Sequence, residues 1–247
     1  MNPNSTNTKV VLVEPAGPIN VGSVARLCAN FGITELRLVT PKCDPLDPQA
    51  QKMALRGLAL LKNAPIFSSL SEAVADCRHV VATCGRLDHG DIPLDTPESV
   101  IQWLSDGSEI VPTALVFGRE DRGLSNKELL MAQRVISIHT EPDCPSLNLS
   151  HAVAVVLYQL HSHEKRGSPK NQIKSEQEPA LSKQMEDFLK DTENLLLEIG
   201  FIFRHTSTSR MAKIRALLHR ADARSNEIAL LRGILRQVRW AMKSNRS

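Results

Sequence analysis

The sequence predicts an α/β fold, a parallel sheet covered by helices on both faces, followed by a small all-helical C-terminal domain. Three observations carry this reading. Short, continuously apolar, β-rich runs alternate with helix-period segments through the first 164 residues. Beyond residue 180 the periodicity is helical only. Between the two lies EKRGSPKNQIKSEQEP, 164–179, with Ile173 as its one apolar side chain amid Gly, Pro and charge, the composition of a linker. The expected organisation is therefore an α/β domain over 1–164, a linker over 165–180 and a basic helical extension over 181–247.

Taken in order, VVLVE (10–14) reads as a strand and NVGSVARLCANF (20–31) as a helix. The strand ELRLVT (35–40), a helical stretch near Gln49–Lys62 and a short strand at Pro65–Phe67 follow. SLSEAVADC (69–77) reads as a helix, with Glu72 three residues after Ser69 completing a capping box. Next come strand HVVATC (79–84), helix PESVIQWL (97–104), strand TALVFG (113–118), a short helix at Ser125–Met131, strand RVISI (134–138) and a long helix from Leu149 to His163. Helices over 181–199, 208–221 and 225–243 complete the chain.

Composition narrows the class. With 42% hydrophobic and 23% charged residues, the 247-residue chain has enough apolar material for a core. The N-terminus is polar, with no apolar signal region, and the run AVAVVLY (152–158) is far too short to span a bilayer. Cys28, Cys43, Cys77, Cys84 and Cys144 are odd in number and form no C-x-x-C pair. They read as thiols of a reducing compartment, so the expectation is a cytoplasmic protein without membrane contact. His151, His161 and His163 do not line one helix face, and no metal site is expected.

Charge is unevenly spread. Residues 1–164 hold 13 Lys+Arg against 18 Asp+Glu, and residues 165–247 hold 17 against 9. From 204 to 247 the balance is 11 to 2, an excess that a merely solvated helix face does not need. On the last helix Leu231, Ile234, Leu235, Val238 and Met242 recur as a packed stripe. Arg232, Arg236, Arg239 and Lys243 fall within about 60° of one another beside it. A surface that tracks nucleic-acid phosphates is the expectation.

Neither G-x-G-x-x-G after the first strand nor G-x-x-x-x-G-K-[ST] occurs, so the common dinucleotide and P-loop sites are not supported. Four loops stand out instead. They are N-x-G-S-V-A-R with Asn20, Gly22, Ser23 and Arg26; TCGR, Thr83–Arg86; FGREDRGLS with Gly118 and Glu120; and PSLNLSHA from Pro145. The last three follow strands or open a helix, and ligands of open parallel sheets sit at the carboxyl ends of strands. Each also has a plain reading as a cap or a turn: Asn20 with Ser23, Gly118, and Asn148 with Ser150.

In this order and spacing the motifs resemble those of the SPOUT superfamily of S-adenosylmethionine-dependent RNA methyltransferases. Within it the chain is most similar to the TrmJ family, whose members 2′-O-methylate nucleotide 32 of the tRNA anticodon loop. The resemblance extends over nearly the whole chain, including GFI (200–202) and ALLRGILRQV (229–238). It implies a knotted α/β domain working as a homodimer, with S-adenosylmethionine held by Thr83, Cys84, Gly85, Gly118, Ile138, Pro145, Ser146 and Leu147. It implies catalytic roles for Arg26, Ser146, Asn20 and Asn148, and RNA contact by Arg86 together with the C-terminal arginines. Glu120 is expected to brace the loops, and Arg119 to add a basic group at the site. Arg26 suits a phosphate clamp that steadies developing oxyanion charge, since a guanidinium is a poor base; a base role is also carried by the resemblance. Action on ribosomal RNA or another tRNA position, or RNA binding without catalysis, stay open. Three departures bear on substrate choice: Asp88 stands where TrmJ-like chains carry a second arginine, PAGPIN brings two prolines ahead of Asn20, and Pro145 replaces a common serine.

Overall fold

The computed structural model describes residues 7–85, 92–106, 111–141, 143–165 and 178–244. The chain forms two compact units, Met1–Lys174 and Ser175–Ser247. Most of the expected linker, and Arg86 and Asp88, lie outside the described residues, as does the side chain of Lys243.

In the first unit, β1 (Thr8–Val13), β2 (Glu35–Val39), β3 (Ile66–Phe67), β4 (His79–Thr83), β5 (Thr113–Phe117) and β6 (Arg134–Ile136) form one sheet in the order β3-β2-β1-β5-β4-β6. Every pairing is parallel. Helices α1 (Pro18–Phe31), α2 (Pro48–Ala54), α3 (Leu58–Lys62), α4 (Leu70–Ala73), α5 (Pro97–Asp106), α6 (Asn126–Leu129) and α7 (Leu149–Lys165) connect and cover the strands.

Why the strands lack polar alternation is now plain. Val10 and Leu12 of β1 join Leu115, Phe117 and Ile136 in a core shared with α1 and α7. Val11 and Val13 point the other way, into a second core with Val80, Val116, Leu70 and Leu129. Both faces are buried, so both sets of alternate residues are apolar. Buried charge on this sheet is compensated: Arg37 of β2 makes two hydrogen bonds to Asp76, at 2.6 and 2.9 Å, and Lys9 adds a 3.5 Å ion pair to the same carboxylate.

Some boundaries differ from expectation for local reasons. The helix expected over 49–62 breaks at Leu55, whose φ of 46° leaves helical space, and a short 3₁₀ turn over Leu55–Gly57 separates α2 from α3. The capping box at Ser69 is half formed. Ser69 Oγ accepts from Glu72 N–H at 3.3 Å, but the Glu72 carboxylate takes Ser68 N–H and Oγ instead. A complete box opens α6, where Ser125 and Glu128 exchange bonds.

The α1 seam depends on two glycines. A Cβ on Gly22 would lie 2.1 Å from Ala50 O, and one on Gly57 would lie 2.2 Å from Ala25 O. Backbone therefore meets backbone where α1 crosses α2 and the 3₁₀ turn, which only glycine permits.

The second unit consists of α8 (Ser182–Glu198), α9 (Arg204–Arg220) and α10 (Ser225–Ser244). Its core is Met185, Phe188, Leu189, Leu218 and Ile228, with Leu231 and Leu235 packed against it. The expected α10 stripe is only partly packed, because Ile234 and Val238 are exposed.

Candidate active site

β5, β4 and β6 are neighbours, and the loops leaving their carboxyl ends surround one cleft of roughly 780 Å³, open mouth included. Thr83, Cys84 and Gly85 follow β4; Gly118 follows β5; Ile138, Pro145, Ser146 and Leu147 follow β6. All eight residues expected to contact a cofactor line this single cleft. Sequence reasoning missed Ile136, Leu149 and Ala152, which complete its apolar wall and read along the chain as ordinary core positions.

Local bonds set each loop. Cys84 N–H donates to Ile136 O at 2.8 Å, and Thr83 Oγ1 donates to Val116 O at 3.2 Å. Thr140 Oγ1 donates to Pro145 O at 3.0 Å, fixing the approach to Ser146. Gly118 is required by the chain itself, since a Cβ there would sit 2.3 Å from the carbonyl carbon of Gly123. Gly123, with φ 64°, turns the segment back, and its N–H donates to Arg119 O at 2.8 Å.

Glu120 ties this loop to the start of α1. Its carboxylate accepts from Ala16 N–H at 3.0 Å, Gly17 N–H at 3.1 Å and Asn20 Nδ2 at 2.9 Å. Burial pushes the Glu120 carboxyl up, but those hydrogen bonds more than offset it, so its pKa lies below the ordinary value. Asn20 Oδ1 in turn accepts from Asn148 Nδ2 at 3.1 Å. Asn148 Oδ1 accepts from Ser150 N–H and Oγ at 2.9 and 2.8 Å, capping α7. One relay thus joins Glu120, Asn20, Asn148 and Ser150, from three loops. The cap reading of Asn148 holds alongside its part in the relay. Asn20 is no cap: Gly17 occupies that position, and Asn20 sits one turn inside α1.

Arg26 stands apart. It is exposed near the middle of α1, makes no ion pair or hydrogen bond among the described residues, and does not line the cleft. Ser23 Oγ donates within the helix to Ile19 O at 2.8 Å. Arg119 is not a free basic group: it pairs with Asp121 at 2.5 and 2.8 Å and approaches Glu14 at 3.7 Å. Glu14 is a hub that the sequence did not reveal. It also accepts from Arg122 at 2.7 Å and pairs with Lys42 at 3.1 Å, and the Arg122 bond first, then Lys42, holds its pKa down.

The basic extension is compensated more than its own sequence suggests. Arg215 is held by Glu186, Arg232 donates to Asp191 at 3.1 Å, and Arg239 donates to the Asp191 carbonyl at 3.1 Å. Both acids lie on α8, outside the 204–247 count. Arg236 is exposed, with no ion pair among the described residues.

Residues 7–158 match the model of the SpoU rRNA Methylase family, and residues 183–247 match that of the tRNA methyltransferase TrmJ, C-terminal domain. The chain belongs to the SpoU methylase family. Among relatives, the Escherichia coli (strain K12) protein named tRNA (cytidine/uridine-2′-O-)-methyltransferase TrmJ is 36% identical, with 98% of each chain covered. The crystal structure of TrmJ from Z. mobilis ZM4 superposes with a TM-score of 0.81 at 31% identity, over 94% of this chain and 99% of that one. A probable methylase family protein from Haemophilus influenzae Rd KW20 gives 0.61 at 33% identity, over 98% and 99%. The SpoU assignment covers the sheet, the cleft and the relay, and the second match covers α8 to α10.

The cleft suits the cofactor of this family. Ile136, Ile138, Leu147 and Leu149 supply apolar walls for a flat heterocycle, while the loops after β4 and β5 bring backbone polar groups to its edge. No group of three or more potential metal ligands occurs among the described residues, and no described helix is long and apolar enough to cross a membrane.

Proposed function

We propose that the protein is an S-adenosylmethionine-dependent tRNA 2′-O-methyltransferase, acting on the ribose of nucleotide 32 in the anticodon loop. What carries the reading is the joining of three separate motif loops, by Glu120, Asn20 and Asn148, around the one cleft lined by Thr83–Gly85, Gly118 and Pro145–Leu147. The relatives named TrmJ match over both units, including the basic extension.

When bound, S-adenosylmethionine supplies an activated methyl group. The protein's task is then positioning and handling of the ribose hydroxyl. Ser146, on the cleft wall, orients the 2′-OH. Asn20 and Asn148 hold the loops that bear the site. Arg26, exposed and off this chain's own cleft, serves the partner protomer's cleft in the homodimer included in this reading, where it takes the neighbouring phosphate and steadies negative charge developing on the 2′-oxygen. Arg86 and the α10 arginines contact the RNA, with Arg236 the best placed to neutralise phosphate.

The reading includes a homodimer, supported by apolar side chains that the first unit leaves uncovered: Ile19 on α1, and Val155 and Tyr158, 62% exposed, on α7. It also includes the trefoil knot that the resemblance implies. A cytoplasmic location follows from a tRNA substrate.

Transfer of labelled methyl to unmodified tRNA tests the reading. Arg26→Ala is expected to lower the rate on the order of a hundredfold. No transfer by the wild type would sink the activity; equal rates would remove Arg26 from it. The SpoU family name favours ribosomal RNA as a second substrate class, and a map of 2′-O-methyls in a deletion strain separates the two.

A further inference from the structure

The turn between α8 and α9 carries two phenylalanines that the helical core does not use. Gly200, with φ +72°, reverses the chain, and Ile202 anchors it at 1% exposure. On either side of that anchor Phe201 and Phe203 stand 59% and 57% exposed. Two large aromatic rings left in water beside a well-buried neighbour mark a contact surface.

Each ring already has a flat polar partner. The Arg210 guanidinium lies 5.5 Å over the Phe201 ring and donates to Phe201 O at 2.7 Å. The Phe203 and His205 rings are parallel within 7°, their centroids 5.9 Å apart. Along the chain the charge beside them has one sign: from 199 to 213 there are Arg204, Arg210 and Lys213 and no Asp or Glu. The first turn of α9 likewise holds no acid, and Glu198 at the end of α8 is the nearest along the chain.

We infer that this turn is a nucleobase-stacking platform: an unpaired RNA base stacks on Phe201 or Phe203 while Arg204 and Lys213 neutralise the flanking phosphates. Aromatic faces accept any base and cations accept the backbone, the combination that single-stranded nucleic acid requires. An apolar protein partner would explain the rings but not the three cations carried by the same segment. The inference rests on the proposal that the chain binds tRNA, and adds where an unpaired nucleotide is gripped.

The test compares full-length wild type with Phe201→Leu/Phe203→Leu, which keeps apolar bulk but removes the rings. Binding of fluorescent tRNA is measured across a salt series, with melting curves and light-scattering mass as controls. About a tenfold loss of affinity is expected, with the slope of log K against log salt unchanged. Arg204→Gln/Lys213→Gln is expected to flatten that slope instead. Ultraviolet cross-linking of the wild type should join tRNA to a peptide within 199–213, a readout independent of how the variants fold. Unchanged affinity in the leucine variant, a changed assembly mass, or no cross-link to this segment would each overturn the platform. Wild-type protein that fails to bind tRNA at all would instead overturn the functional reading beneath it.

Discussion

Asn148 Nδ2 donates to Asn20 Oδ1 across 3.1 Å, joining side chains 128 residues apart in the chain. Because Asn20 Nδ2 donates to Glu120 and Asn148 Oδ1 accepts from Ser150, neither amide can flip without breaking two partnerships. The two residues are therefore expected to act as a unit. In a double-mutant cycle on stability, Asn20→Ala and Asn148→Ala should show a coupling of about 0.5–1.5 kcal/mol. Simple additivity would mean that the bond contributes nothing.

The Glu120 carboxyl gives the relay a pH signature. Its folded pKa lies below the ordinary value of 4.5, burial being outweighed by bonds from Ala16, Asn20 and Gly17. A depressed carboxyl stabilises above its unfolded value and loses that contribution as pH falls through the folded one. Glu120→Gln is expected to cost about 1 kcal/mol near neutrality, reduced by solvent screening. The gap in melting temperature from wild type should narrow as pH drops below 4.5. A gap independent of pH would show that ionised Glu120 is not what holds the loop.

Glycine substitutions should split by position. Gly22→Ala places a methyl 2.1 Å from Ala50 O and must spread α1 from α2, at a cost of about 1–3 kcal/mol. Gly233→Ala, inside α10 with nothing within 4 Å, should stabilise by about 0.5–1 kcal/mol. Denaturant titration reads both, and the same sign for the two would contradict the seam.

Thiol reactivity should follow burial. Burial pushes the Cys28 thiol far up and the Cys77 thiol up to about 12, whereas Cys144 is exposed. Iodoacetamide near pH 8 should alkylate Cys144 first in the native protein, and Cys28 and Cys77 only on unfolding. Peptide mass spectrometry gives the order.

The C-terminal arginines should not be equivalent. Arg236→Gln is expected to reduce the salt slope of tRNA binding by about one. Arg215→Gln, already paired with Glu186 inside the unit, should leave the slope unchanged and lower the melting temperature. Equal slopes would put Arg236 outside the RNA contact.

The sheet was legible because its chemistry is local: a strand buried on both faces must be apolar throughout, and Val10–Val13 and Thr113–Phe117 are visibly so. The four loops were legible as motifs, and they come together because β1, β5, β4 and β6 stand in that order in the sheet. What the chain order hides is pairing across space. Counting charges from 204 onward left out Glu186 and Asp191, which lie on α8 and hold Arg215 and Arg232. Glu14 looked like the end of a strand, yet it gathers Lys42, Arg119 and Arg122. Leu55 gave no sign of its left-handed backbone, since leucine normally favours an unbroken helix. Arg26 was legible as a motif residue but not as one outside the cleft wall.

The relay also sets a clock on synthesis. Its parts span positions 16 to 150, so a chain that ends between Ile136 and Asn148 holds β1 to β6 yet still lacks the clasp between the first and last loops. Competence at the cleft arises late in translation, after most of the sheet has emerged, and a truncated product of a stalled ribosome would be folded in part but unable to close its site.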